Sequence, residues 1–252
     1  MRAIEPSTCR LSARRVMLRV VMWICAVLIA SVGSVVRADD ELPDRVGRVA
    51  MIGGALYLAP EDRASDWAPI DVNYPVTSGD NLWFAGDGQA EVDYGGGQFR
   101  VGRDTALRVS RLDDRELALY LQQGTLIIRA RVLDADDVVR IETPTTQAQL
   151  TRPGLYRIDV TEDGMQTSFT VRDGEASVLV AGAMQEALPG QTVVLNGSDP
   201  AVANVQTGIG LDGFDVWSAN RDRRIDRSRS AIYVSRQMVG AADLDDYGQW
   251  TA

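Results

Sequence analysis

Leu117-Ala-Leu119-Tyr-Leu121-Gln-Gln-Gly124-Thr-Leu126-Ile-Ile128 decides the fold. Apolar side chains alternate up to Gly124 and resume at Leu126, a period of two that lines them along one face of a strand. Helical winding would set glutamine among the leucines instead. The same beat runs outward through Tyr156, Ile158 and Val160, through Phe169 and Val171, and through Ala176 and Val178. The expectation is an all-β domain: an irregular β-sandwich, jelly-roll-like, or a short β-roll of hairpins.

The spacing apolar-x-apolar-x-x-Gly-x-apolar-x-apolar occurs three times, around Gly54, Gly124 and Gly174. Each copy predicts two strands joined by a tight turn, with glycine supplying the positive φ. The copies are too unevenly spaced for a regular solenoid. Gly86-Asp87-Gly88 and Gly95-Gly96-Gly97 predict two further turns, the second a hairpin turn, since no Lys-Ser/Thr pair or helical pattern follows to make a phosphate cradle.

With 252 residues and 45% apolar composition, the chain can bury an ordinary core. Its net charge is −9, and all 26 basic residues are arginine. Such an acidic surface repels nucleic acid and anionic lipid, so neither is an expected partner. There is no histidine, and both cysteines, Cys9 and Cys25, lie near the N-terminus. The remainder lacks the residues for a Ser-His-Asp or Cys-His triad, a His/Cys zinc site or a disulfide. Without lysine there is no Walker A loop or Schiff base. The expectation is a protein that is not an enzyme and uses no cofactor or metal.

Arg10, Arg14, Arg15 and Arg19 precede the uncharged run Val20–Val36, which ends at Val36-Arg37-Ala38. This is the pattern of a secretory signal peptide cut after Ala38, and the expected location is exported, periplasmic. Membrane contact is expected only if that segment stays as an anchor. The expected domains are a signal peptide over 1–38, the β-domain over 39–200 and a C-terminal extension over 201–252.

Asp134-Ala-Asp136-Asp137 reads as a solvated turn between strands, with calcium ligation as its functional counterpart. Trp67, Trp83 and Phe84 read either as core packing or as an aromatic platform for a polysaccharide, worked by nearby carboxylates where cleavage occurs. Past Pro200 the period changes. Phe214, Trp217 and Ile225 fall on one helical side, Asp212 suits an N-cap, and Asn220–Arg229 is dense in arginine. This helix is too short to be stable alone and is expected to dock, mainly through its apolar stripe. Its arginines, Arg224 among them, read as a solvated face over the acidic sheet or as a contact for an anionic partner. Tyr233-Val234 and Leu244–Tyr247 suggest an extended piece and a last helical turn.

Several of these stretches together resemble the FecR family domain. They are Tyr94-Gly-Gly-Gly-Gln-Phe-Arg-Val101, Leu119-x-Leu121-x-x-Gly124-Thr-Leu126, Ile141-Glu-Thr-Pro144, Pro153-Gly154-Leu-Tyr156-Arg-Ile158-x-Val160 and Val171-x-x-Gly174-x-Ala176-x-Val178. The tail, with Phe214-x-x-Trp217, Tyr233-Val-Ser235, Met238-Val-Gly240 and Asp243-Leu-Asp-Asp-Tyr247-Gly-x-Trp250, is similar to that of exported FecR-domain proteins. In the family's sigma regulators the FecR domain is the periplasmic part and a cytoplasmic anti-sigma domain precedes the membrane helix. Only about 19 residues precede the apolar run here, too few for that domain. The resemblance therefore implies a non-enzymatic sensing, scaffolding or binding module of the bacterial cell envelope, working through an envelope protein partner. Polysaccharide is the alternative ligand, and Trp67, Trp83, Phe84, Trp217 and Arg224 are the candidate contacts.

Overall fold

The structure, a computed structural model, describes residues 45–197, 202–235 and 237–247. The expected signal peptide lies outside them. Among the described residues, fifteen strands join in one hydrogen-bonded network. Three are long and carry it: β1 (Gly47–Ala59), β4 (Asn81–Asp93) and β7 (Glu116–Ala130). The N-terminal half of β4 and of β7 pairs with β6 (Thr105–Leu112), and the C-terminal half with β5 (Gly97–Val101). β1 pairs with β4 along both halves.

From the first half of β7 the sheet continues through β8 (Val138–Glu142), β9 (Gln147–Leu150), β12 (Ala176–Val180) and β13 (Ala183–Ala187). From its second half it continues through β10 (Gly154–Val160), β11 (Gln166–Asp173), β14 (Gln191–Asn196) and β15 (Val202–Thr207). Two very short strands, β2 (Ala68–Pro69) and β3 (Pro75–Val76), pair with β1. Register is antiparallel except between β7 and β8. The two wings fold over one another and share a single apolar core. Thr145, before β9, donates to Thr167 of β11 at 2.6 Å, tying one wing to the other. This is the expected all-β sandwich with a small helical extension.

At Gly174 the chain passes from β11 in one wing to β12 in the other rather than pairing them, and the expected hairpins at Gly54 and Gly124 are not hairpins either. β1 and β7 run straight through these glycines and bend there, crossing from one wing to the other. At Gly124, with φ of +95°, an added Cβ would stand 2.6 Å from the Thr105 Cα. At Gly54 it would meet the Phe84 ring at 2.7 Å. Glycine is thus required by close approach at a corner, not by chain reversal. Gly86-Asp87-Gly88 likewise sits inside β4, whereas Gly95-Gly96 does form the β4–β5 turn. The sheet also passes the boundary expected near residue 200, since β15 adds to the edge of β14.

Helix α1 (Gly213–Asp226) follows, capped as expected by Asp212, whose carboxylate accepts from the Phe214 and Asp215 amides at 2.9 Å. A short 3₁₀ turn (Ser230–Ile232), a second (Ala241–Asp243) and the single-turn α2 (Leu244–Tyr247) complete the described chain. No helix among the described residues is long and apolar enough to cross a membrane.

Candidate functional site

Alternation along the strands gives the sandwich an outer surface with two distinct parts. Over β1, β4, β6 and the first half of β7, the inward residues are Leu56, Leu82, Phe84, Leu107, Leu119 and Leu121, all buried. Their neighbours point outward. Tyr57 stands opposite Trp83, and Trp83 opposite Ala106. Asn81 stands opposite Arg108, and Arg108 opposite Tyr120. Trp67, in the loop before β2, closes one side and is 46% exposed. These residues line an open groove of about 810 Å³, mostly apolar, with Asn81, Arg108 and Gln122 as its polar groups. The Arg108 guanidinium is held by Glu61.

A second trough, of about 600 Å³, begins on the far side of Trp83. Its lining is half polar, the polar groups being Arg103, Asp104 and Gln123, then Thr125 past the bend of β7, then Asp159, Glu162 and Ser168. Asp159 accepts from the Thr125 hydroxyl at 2.9 Å and takes three hydrogen bonds from Arg157. Asp104 accepts from the Gly86 amide at 3.0 Å. Both carboxylates are thus engaged in holding the local structure. Trp83 is the shared wall of the two depressions.

The other part of the outer surface, over β4, β5, β7, β10 and β11, is charged. One register row runs Glu91, Arg100, Ile127, Arg157, Thr170 across five strands. Arg129, Arg131 and Arg172 lie beside it, and α1 covers it. Arg100 is wholly buried: its Nε donates to Glu91 at 2.8 Å, its Nη1 to the Ser218 hydroxyl at 2.6 Å and its Nη2 to Asp222 at 2.7 Å. Asp222 also accepts from Arg131 at 3.0 Å. Asp215 pairs with Arg157 at 2.8 Å and Arg172 at 3.1 Å. Burial opposes ionisation of Glu91, but the hydrogen bond from Arg221 and the charges of Arg100 and Arg221 outweigh it and hold its pKa below the ordinary value.

Docking mainly through an apolar stripe is therefore overturned. The residues of α1 buried against the sheet are Asp215, Ser218 and Asp222, flanked by half-buried Phe214, Trp217 and Ile225. The physical reason is local sign: an acidic protein here presents five arginines on one face, and the helix answers with its aspartates. Arg223, Arg224 and Arg227 lie on the exposed side of the helix. The tail then folds back. Asp93 accepts from the Gly240 amide at 2.8 Å, Arg48 pairs with Asp243, and Asp245 accepts from the Arg229 and Ser230 amides at 2.7 and 2.9 Å.

The five residues singled out from sequence separate accordingly. Trp67 and Trp83 meet in one groove. Phe84 does not join them: it is 0% exposed and packs over Gly54, because the residue next to an outward Trp83 must face the core. Trp217 stacks on Phe214 with centroids 5.5 Å apart. Arg224 is paired with Asp246 in α2. Tyr57, Tyr120 and Arg108 were missed; strand alternation marks each as outward, but only register reveals that they are neighbours. Asp134–Asp137 is the expected turn, closed by Asp137 accepting from the Asp134 amide at 2.8 Å.

No family model and no curated protein matches this chain. Among solved structures, a putative anti-sigma factor from Parabacteroides distasonis ATCC 8503 is similar at a TM-score of 0.44 and 10% identity, over 50% of this chain and 59% of that one. A second putative anti-sigma factor structure from the same organism is similar at a TM-score of 0.36 and 8% identity, over 64% of this chain and 60% of that one. The chain thus spans about three-fifths of each.

Proposed function

We propose that this protein is a non-enzymatic, exported binding module of the cell envelope, of the FecR-domain type, and that its ligand is a polysaccharide held in the Trp67–Trp83 groove. The observation that carries this reading is the grouping of Tyr57, Trp67, Trp83 and Tyr120 in one open groove with Asn81, Arg108 and Gln122 among them. Flat rings stack on the apolar faces of sugar rings, and interspersed amide and guanidinium groups take their hydroxyls. An open groove suits a chain polymer better than a small molecule, which calls for an enclosed pocket.

The test is retention on immobilised neutral polysaccharides. The wild-type protein should be retained and released by soluble competitor. Trp67→Ala and Trp83→Ala should each abolish retention while keeping the β-sheet circular dichroism. Retention unchanged in both variants refutes the groove as the site.

A second reading, recognition of an envelope protein, is supported by a separate observation at the sheet margin. β15 is uncharged, its outer edge is unpaired among the described residues, and Val202 and Leu211 near it are 69% and 70% exposed. Unprotected strand edges of this kind accept a strand from another chain. Charged substitution at Val202 or Val205 should abolish capture of an envelope protein while leaving polysaccharide retention intact.

A further inference from the structure

Resting on the polysaccharide reading, we infer that the ligand is a neutral oligosaccharide several units long that crosses Trp83 and occupies both depressions, its reducing or non-reducing end lying in the polar trough. Continuity of the surface is the first observation. Tyr57, Trp83, Ala106 and Gln123 form one cross-strand row, and past the bend at Gly124 the row is taken up by Thr125, Asp159 and Ser168. Five strand intervals of about 4.8 Å make this path about 24 Å long over the surface. A disaccharide covers only a fraction of that length.

The second observation is a division of chemistry along the path. The first groove offers ring faces, whereas the second offers oxygen acceptors. Among the described residues, Ser168 and Glu162 make no side-chain hydrogen bond, and Gln123 uses only its amide nitrogen, donated to the Asp104 carbonyl at 3.2 Å. Acceptors turned to an open trough fit a ligand rich in hydroxyl donors.

The third observation is charge. The trough carries Asp104, Asp159 and Glu162, and both arginines along the path already hold a partner: Arg103 pairs with Asp87 at 2.6 Å and Arg108 with Glu61. A uronate or sulfated chain would bring its anions to carboxylates with no uncommitted cation to meet them. Neutral chains carry no such penalty.

The experiment is a calorimetric titration of the wild-type protein with cello-oligosaccharides and N-acetylated chito-oligosaccharides, each from disaccharide to hexasaccharide, with oligogalacturonate as the anionic comparison. Affinity for one neutral series should rise by at least about tenfold from the shortest to the longest member. The double variant Glu162→Ala, Ser168→Ala should remove that rise and leave disaccharide affinity unchanged, since neither residue lines the aromatic groove. Equal affinity for short and long members, still lost in Trp83→Ala, overturns the crossing while leaving the groove reading in place. Tighter binding of oligogalacturonate than of either neutral series also overturns it. Binding of no member of any series overturns both readings together.

Discussion

Asp222→Ala should release helix α1 from the sheet, and should do so more completely than Trp217→Ala. Asp222 is 9% exposed and supplies the carboxylate that closes the far end of the Arg100 guanidinium at 2.7 Å. Deleting one partner of a buried ion pair costs about 3–5 kcal/mol, because the other charge stays buried without compensation. Arg100 would keep Glu91 and Ser218, so the low end, about 3 kcal/mol, applies. The loss cannot exceed the free energy that docks the helix, since beyond that point α1 opens locally while the sandwich stays folded. A global loss of about 3 kcal/mol would lower Tm by roughly 6–12 °C in a chain of this size. Trp217 is half-buried and stacked on Phe214, so its truncation should cost about 1–2 kcal/mol. Limited trypsin digestion reads the difference, because Arg223, Arg224 and Arg227 lie on the exposed side of α1. Asp222→Ala should be cut there first and fastest, Trp217→Ala more slowly, and wild type slowest. Fast cleavage in Trp217→Ala with Asp222→Ala indistinguishable from wild type would refute the charged docking and restore an apolar one.

Acid should detach the same segment. Burial opposes ionisation of Glu91 and Asp212, but the hydrogen bond from Arg221 and the charges of Arg100 and Arg221 hold the Glu91 pKa below the ordinary value, hydrogen bonds from the Asp215 amide and then Arg157 do the same for Asp212, and Asp245 is lowered to about 2 by the Ser230 hydroxyl. A depressed carboxylate adds stability above its unfolded pKa and loses it as pH falls through the folded one, so docking should hold at neutrality and fail between about pH 4 and pH 2 in pepsin digestion. Asp93, raised by burial, has the opposite sign and alone would favour the docked tail at low pH, so docking that strengthens on acidification would mean that Asp93 dominates. Gly124→Ala should cost about 2–5 kcal/mol, combining a strained positive φ with overpacking on Thr105, and thermal unfolding should show it. Phe84→Ala should cost about 3–5 kcal/mol in denaturant unfolding yet leave retention of the folded fraction on polysaccharide unchanged, the reverse of Trp83→Ala.

Sequence alone determined which residues face inward. Period-two alternation is a local property, fixed by the geometry of an extended chain, so the buried sets in β7, β10, β11 and β12 could be read without knowing any partner strand. The Asp212 cap was legible for the same reason, since its contacts lie within three residues. Tertiary structure decided what the glycines do. A positive-φ residue ends a hairpin or bends a continuing strand, and only the pairing of β7 with β6 on one side of Gly124 and β5 on the other selects the bend. It also decided the groove, because Tyr57, Trp83 and Tyr120 are remote in sequence and meet only through register. Most of all it decided the helix. Asp215, Ser218 and Asp222 are polar and lie on one side of α1, which sequence reasoning assigns to water. Their burial depends on Arg100, Arg157 and Arg172, which alternation had placed on the outer face of strands more than forty residues away. A charge is stable in the interior only beside its counter-charge, and that pairing exists nowhere in the chain until the sheet has formed.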